Sequence, residues 1–188
     1  VCDMVVTADG EVAKSKFHPA VMRSHARLTY TRVWRAIGER DPEERAAMGN
    51  LLPHLENLHA LYKAFVKRRS ERGAIEFESQ EVKFSLGAAG EVLAMQPQAR
   101  NDAHKLIEEC MLAANVATAR FLQKHKVPGL YRVHEGPGGE KLKSLREFLG
   151  ELGLSLRGGD KPQPGDYQQL IAAVQERPDR HGILSLIP

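Results

Sequence analysis

The spacing of hydrophobic and polar positions along the chain predicts a mixture of helices and short strands. Two apolar and β-branched runs lie within residues 1–20, on either side of Ala8-Asp9-Gly10. Asp-Gly between such runs is a strong hairpin signal. Shorter strands are predicted further along the chain, at 74–78, 81–86, 91–95 and, as a buried strand, 129–134.

Helices are predicted where apolar residues recur at helical spacing and capping residues stand at the ends. Ser24 is the N-cap candidate for a helix that ends before Gly38, and Asp41-Pro42 starts the next one. Longer helices are expected at about 50–72, 100–124, 140–150 and 166–176. Helices and strands do not alternate strictly, so the predicted class is α+β, helix-rich with short strands. The sequence shows no repeat and no convincing domain boundary.

Composition narrows the class of protein. Of the 188 residues, 42% are hydrophobic and 27% charged, which excludes disorder as the main state. The formal net charge of +3 permits nucleic-acid binding without arguing for it. Two cysteines are too few for a disulfide framework and favour a reducing compartment, the cytoplasm. Because no apolar run approaches the roughly 20 residues of a membrane span, no membrane partner is expected.

The two ends of the sequence are unusual. The chain begins on the apolar run VCDMVV and ends on GILSLIP, whereas natural termini are usually polar. We therefore expect the 188 residues to be a piece of a longer polypeptide.

Several short motifs suggest chemistry but have a simpler interpretation. His54 and His59 resemble a zinc motif, yet a spacing of five turns the second side chain about 140° away from the first. The 136–141 loop is Gly-rich but lacks the ending and spacing of a phosphate-binding loop. Cys110 lies on an apolar helix side and is expected to pack rather than react.

A basic group stands near the end of the predicted 50–72 helix. Basic residues there complement the helix dipole, so a solvated face is the simpler interpretation and a phosphate-contacting patch is the alternative. The group comprises Lys63, Lys67, Arg68, Arg69 and Arg72.

The predicted 100–124 helix is the most informative segment. One face is apolar and contains Leu106, Cys110, Ala113, Ala117 and Phe121. The opposite face carries Asn101, His104, Glu108 and Asn115, which fall within about 60° of one another. This face is either the solvent-exposed side of an amphipathic helix or a ligand-binding face. Amides, an imidazole and a carboxylate suit contacts to hydroxyl groups better than the usual Lys and Glu do.

Five sequence blocks spread along the whole chain carry a family resemblance. One is RNDAHKLIEECMLAANVATARF at 100–121. The others are KFHPAVMRSHARLTYTRVW at 16–34, ERGAIEFES at 71–79, LYRVHEGP at 130–137 and GGDKPQPGDYQQLI at 158–171. In their order along the chain, the blocks resemble the RNB (ribonuclease II) family of exoribonucleases, its ribonuclease R branch in particular, and residues 100–121 resemble the central helix of the family's catalytic domain.

This resemblance implies a processive, magnesium-dependent 3′-to-5′ exoribonuclease that releases nucleoside 5′-monophosphates from single-stranded RNA. In the family, Mg²⁺ is held by an aspartate cluster upstream of the block that matches Val1, and an essential arginine motif lies downstream of the block that matches Pro188. Carboxylates suit this chemistry because they hold the hard cations that activate water. Residues 1–188 would therefore be part of an RNB catalytic domain, with no catalytic or metal-binding residue, no bound Mg²⁺ and no hydrolytic activity by itself. Flanking domains of the parent chain would be its partners.

The resemblance also implies RNA-binding residues. Tyr30 and Glu108 match positions that contact the ribose, whose 2′-hydroxyl distinguishes RNA from DNA. Phe77 matches an aromatic residue that stacks on the terminal bases, and Asn115 is a weaker candidate. Arg132 and His134 match family residues without an assigned role.

Two alternatives to an exoribonuclease remain open. One is a catalytically dead RNA-binding or adaptor protein of the same fold. The other is a helix-rich interaction module with no RNA role.

Overall fold

The computed structural model describes residues 1–74, 81–98, 100–133, 136–175 and 177–184. The strands are β1 (Cys2–Val6), β2 (Val12–Phe17), β3 (Glu81–Leu86) and β4 (Val92–Gln98). The helices are α1 (Tyr30–Ile37), α2 (Pro42–Met48), α3 (Leu52–Glu71), α4 (Asp102–Lys124), α5 (Gly139–Glu151), α6 (Pro164–Val174) and α7 (Arg180–Leu184), and a 3-10 turn (Gly49–Leu51) precedes α3. The α+β class is confirmed.

Both described sheets are antiparallel hairpins. β1 pairs with β2, with Cys2 opposite Phe17, and β3 pairs with β4. The predicted turn at Asp9-Gly10 is present: Gly10 has a φ of +79°, and a Cβ there would lie 2.4 Å from the carbonyl oxygen of Ala64 in α3. Glycine is therefore needed both for the turn and for the close approach of the hairpin to α3.

The first helix begins later than the sequence predicts. Ser24 is not a helix cap, because residues 18–29 contain no helix. Its hydroxyl donates to the backbone carbonyl of Ala26. The cap is Thr29, whose hydroxyl accepts from the backbone N–H of Arg32 at 3.4 Å. A capping residue starts a helix only where the residues that follow it can pack an apolar helix face against the rest of the protein.

The predicted buried strand at 129–134 is wrong for the part that the structure describes. Residues 129–133 form no strand, and the side chains of Leu130 and Val133 are exposed. A strand needs a neighbour to satisfy its backbone groups, and each described sheet contains only its own two strands. The final helix, α7, was not predicted because five residues are too few to show a helical period.

The chain divides into two compact units, a division that the hydrophobic pattern does not reveal. Unit 1 contains residues 1–68 and 77–129, and unit 2 contains residues 69–76 and 130–188. In unit 1, a core cluster forms from Ala36, Ile37 and Met48, with Leu28, Val33, Leu52 and Leu55 packed against it. In unit 2, the core consists of Leu142, Leu145, Leu149, Leu156, Tyr167, Leu170, Ile171, Val174 and Ile183.

No helix in the described ranges is long and apolar enough to cross a membrane.

Candidate functional site

Helix α4 begins with a reciprocal cap formed by two members of the predicted polar face. The side chain of Asn101 accepts from the backbone N–H of Ala103 at 3.1 Å, and the backbone N–H of Asn101 donates to Nδ1 of His104 at 3.4 Å. His104 takes the place that Glu or Gln usually holds in a capping box. Asn101 and His104 thus hold the helix end, a role that the sequence analysis did not assign to them.

Tyr30 is placed on top of His104. The two rings are stacked, with centroids 4.1 Å apart and an interplanar angle of 26°. Tyr30 is the first residue of α1, which packs against α4, and its side chain stays 45% exposed. The fold therefore places Tyr30 over His104 in the first turn of α4. Glu108 lies one helical turn further along the same helix.

Glu108 forms a close ion pair with Arg100, which lies just before the cap. The pair involves Oε2 of the carboxylate, and the Glu108 side chain is 48% exposed. The neighbouring Glu109 is buried. One residue turns the helix by about 100°, so the two acids of the Glu-Glu pair face opposite environments. The hydrophobic pattern alone did not single out Glu109, although its position, three residues after Leu106, indicates a place on the buried side.

The rest of this side of α4 combines polar and large apolar side chains in the open. Met111 and Leu112 are 58% and 49% exposed, and Asn115 is also exposed. We define the exposed α4 face as Glu108, Met111, Leu112 and Asn115, which fall within an arc of about 100°. Asn115 lies about 10 Å from Glu108 along the helix axis, so the two side chains would contact different parts of one ligand. Exposed apolar side chains beside amide and carboxylate groups are typical of a contact surface rather than a solvated face.

A second cluster holds α1 and α3 against the first turn of α4. Nε2 of His59 in α3 lies 3.1 Å from a carboxylate oxygen of Asp102 in α4. The ring of Trp34 in α1 stands edge-on to His59 with centroids 6.4 Å apart, and Tyr62 is stacked parallel to it at 6.1 Å. We call these four residues the His59 junction. It fixes the helix that carries Tyr30 relative to the helix that carries Glu108.

Ion pairs between α1 and α2 brace the same region. Arg35 contacts Asp41 at 2.5 Å and Glu44 at 3.3 Å, and Arg32 contacts Glu44 at 3.0 Å. Asp41 also caps α2. The backbone N–H of Glu44 and the Arg35 guanidinium hold the pKa of Asp41 below its usual value.

The remaining candidate residues are either outside the described ranges, exposed or half-buried. Phe77 and His134 lie outside the described residues. Arg132 is exposed, and so is His54. Cys110 is half-buried, and burial, followed by the charge of Glu109, raises the pKa of its thiol. This environment agrees with a packing role for Cys110.

Two further predictions concern charged groups. Arg68, from the predicted basic group, lies 3.9 Å from Asp9 and 3.7 Å from Glu11, so acids of the β1–β2 hairpin partly offset its charge. Among the residues that the structure describes, no three His, Cys, Asp or Glu side chains come together as metal ligands. The described donor set therefore does not fit a magnesium site, and no hydrolytic step follows from it.

Comparisons with known proteins agree on one family. A family model described as the RNB domain matches residues 1–187. Ribonuclease R of Escherichia coli is 48% identical over 188 residues, an alignment that covers 100% of this chain and 23% of that protein. Ribonuclease R of Vibrio cholerae is 50% identical over 187 residues, again covering 100% of this chain and 23% of the relative. The chain thus spans about 23% of the length of these relatives.

Solved structures show the same fold. The chain matches Mycoplasma genitalium RNase R in complex with ribose methylated single-stranded RNA with a TM-score of 0.86 and 22% identity, covering 98% of this chain and 29% of that one. The same protein in complex with double-stranded RNA matches with a TM-score of 0.87 and 22% identity, covering 98% of this chain and 33% of that one.

Proposed function

The chain belongs to the RNB domain family, and on that premise we propose that it is the RNA-recognition part of a processive 3′-to-5′ exoribonuclease. The parent enzyme would hydrolyse single-stranded RNA to nucleoside 5′-monophosphates in the cytoplasm. Alignment of the whole of this chain with about 23% of proteins named ribonuclease R supports this proposal. The RNA complexes of the structural neighbour support RNA as the ligand class.

The observation that carries the proposal is the stacking of Tyr30 on His104, one helical turn before the exposed Glu108 of α4. A ribose 2′-hydroxyl donates one hydrogen bond and accepts others, which is how a protein distinguishes RNA from DNA. Besides its ion pair with Arg100, the Glu108 side chain is 48% exposed, so the carboxylate can accept from that hydroxyl. A phenol hydroxyl such as that of Tyr30 can donate to the same ribose oxygen.

Asn115 and Phe77 extend the proposed contact along the RNA. The Asn115 amide donates and accepts, so it suits a sugar or base edge on another nucleotide than the one at Glu108. Phe77 stacks on the terminal bases, and stacking accepts any base, as a degradative enzyme requires. Met111 and Leu112 would exclude water between the polar contacts.

Magnesium and hydrolysis are assigned to residues outside this chain. We place Mg²⁺ on aspartates of the parent polypeptide that precede Val1, and the essential arginine beyond Pro188. Bound there, Mg²⁺ would activate water and stabilise the leaving oxygen. The 188 residues alone would bind no Mg²⁺ and hydrolyse no RNA, and the flanking domains would complete the site.

The test is the ratio of kcat/KM for matched oligoribonucleotides and oligodeoxyribonucleotides, measured on the full-length protein that contains this chain. We expect Glu108→Ala to lower this RNA-to-DNA ratio about 10- to 100-fold, the range of a hydrogen bond to a charged group. The matched control is Glu151→Ala, which removes an exposed glutamate at the end of α5. An RNA-to-DNA ratio that Glu108→Ala leaves unchanged would contradict the proposal.

A further inference from the structure

His104 occupies a position between the helix cap and the proposed ribose contact. Its Nδ1 accepts from the backbone N–H of Asn101 at 3.4 Å. Its ring face supports the Tyr30 ring at 4.1 Å. The side chain itself is half-buried, whereas Tyr30 and Glu108 are exposed.

The cap restricts the orientation of the imidazole. A histidine on an exposed helix turn would rotate about two side-chain bonds, but the hydrogen bond that Nδ1 accepts from the Asn101 backbone N–H favours one arrangement. Asn101 is itself held by the first turn of α4, where its side-chain oxygen accepts from the Ala103 backbone N–H. The orientation of the ring is therefore set by the start of the helix, a rigid element.

Because the Tyr30 ring is stacked on the His104 ring, the fixed orientation of the imidazole also limits the orientation of the phenol ring. Tyr30 has an open side, since 45% of its surface is exposed, and the His104 ring is the aromatic surface on its other side. Aromatic rings hold a preferred parallel or tilted geometry when they are in contact. The imidazole plane thus limits the directions in which the Tyr30 hydroxyl can point, one helical turn from Glu108.

We propose that His104 is a positioning residue for RNA recognition: held by Asn101, its ring orients Tyr30 so that the phenol and the Glu108 carboxylate meet the same ribose. His104 does not contact the RNA. This inference rests on the proposed function, because it assigns to His104 the geometry of a ribose contact. Because His104 already restricts the Tyr30 side chain before RNA binds, less conformational entropy is lost on binding.

Two substitutions separate the cap from the stack. His104→Gln keeps a side chain that can complete a capping box but removes the ring, whereas His104→Phe keeps a ring under Tyr30 and removes the polar contact with Asn101. His54→Gln, which changes an exposed histidine in α3, is the matched control. All variants are made in the full-length protein, and the RNA-to-DNA ratio is measured on one preparation, so that a changed fraction of active enzyme cancels.

We expect His104→Gln to lower the RNA-to-DNA ratio about 3- to 10-fold through a raised KM for RNA, a range set by one weakened hydrogen bond. Its melting temperature should stay near that of the wild type. His104→Phe should give a ratio between those of the wild type and His104→Gln, because a ring remains under Tyr30 but Asn101 no longer holds it. It should also lower the melting temperature, because the His104 half of the reciprocal cap is lost while the Asn101 half remains. In a Tyr30→Ala background, His104→Gln should have no further effect on the ratio, since the two residues act as a pair.

Each outcome separates this inference from the proposed function. If Glu108→Ala and Tyr30→Ala lower the ratio and His104→Gln does not, the positioning role is wrong and ribose recognition stands. If His104→Gln lowers the ratio equally with and without Tyr30, His104 acts by another route and the inference is overturned. If none of the three single variants changes the ratio, the proposed function fails and the inference fails with it.

Discussion

Unit 2 and the exposed α4 face use the same residue types in opposite ways. In unit 2, helices α5, α6 and α7 bury their leucines and isoleucines in one cluster, where Leu149 and Val174 are fully buried. On α4, Met111 and Leu112 stay about half exposed between Glu108 and Asn115. Leaving apolar area in water forgoes the free energy of its burial. The comparison therefore contrasts apolar side chains that are buried in a core with apolar side chains that stay exposed on a helix.

Polar contacts of the same kinds occur in both regions. On α4, Arg100 pairs with Glu108, and Asn101 and His104 form a reciprocal cap. In unit 2, Arg177 pairs with Asp179, and Gln163 and Asp166 form a reciprocal cap at the start of α6. The exposure of large apolar side chains, rather than the polar contacts, therefore distinguishes the exposed α4 face from the unit 2 core.

The largest expected effect is a loss of stability when the core of unit 2 is disrupted. Leu149→Ala removes a fully buried side chain and should lower the free energy of unfolding by about 2–5 kcal/mol, measured by urea denaturation. The RNA-to-DNA ratio of the protein that remains folded should not change. Leu130→Ala, at an exposed leucine, is the matched control. A Leu149 variant of wild-type stability would show that the unit 2 core is packed differently.

The next effect concerns base stacking. Phe77→Ala should weaken binding of the RNA end by about 1–3 kcal/mol per stacked base, so the enzyme should release longer end products. Gel analysis of the limit digest of a labelled oligoribonucleotide measures this length. Phe77→Tyr keeps the ring and should restore the short products. End products of unaltered length in the alanine variant would remove Phe77 from the contact.

Asn115 provides a smaller test, at the far end of the exposed α4 face. Asn115→Ala should reduce affinity for single-stranded RNA about 2- to 10-fold, the range of one neutral hydrogen bond. Fluorescence anisotropy with a chelator present measures binding without hydrolysis. Asn57→Ala, at an exposed asparagine of α3, is the control. If both variants bind RNA equally well, the proposed contact ends before Asn115.

The smallest effect tests the brace between α1 and α2. The pKa of Asp41 is lower in the folded than in the unfolded state. Its ionised form therefore stabilises the fold at a pH above the unfolded-state pKa, and this stability is lost as the pH falls through the lower folded-state pKa. Asp41→Asn keeps a good N-cap and removes the charge. Unfolding of the variant should therefore depend less on pH than unfolding of the wild type between about pH 5 and pH 2.

An exposed residue without a titratable group serves as the control for the last test. Asn57→Ala, in α3, should leave the pH dependence of unfolding as in the wild type, because asparagine does not titrate. Equal pH slopes for Asp41→Asn and the wild type would show that the brace contributes no stability.

Local sequence determined most of the helices and strands of the described chain. Asp41-Pro42, Asp9-Gly10 and the uninterrupted 102–124 run each form the structure that they predict, because caps, turns and helical hydrogen bonds join residues close in sequence. The matching sequence blocks identified the RNB family by themselves. The sequence also pointed to Tyr30, Glu108 and Asn115 as contact residues, though not to what holds them.

Tertiary structure decided what the local signals left open. Ser24 and Thr29 are both acceptable caps, and the core beneath α1 selects Thr29. Neither the stack of Tyr30 on His104 nor the contact of His59 with Asp102 follows from any local pattern, because these contacts form only when distant helices pack together. Sequence alone therefore determined the elements and the family, whereas packing decided which side chains meet, since many weak contacts between distant residues must be satisfied at once.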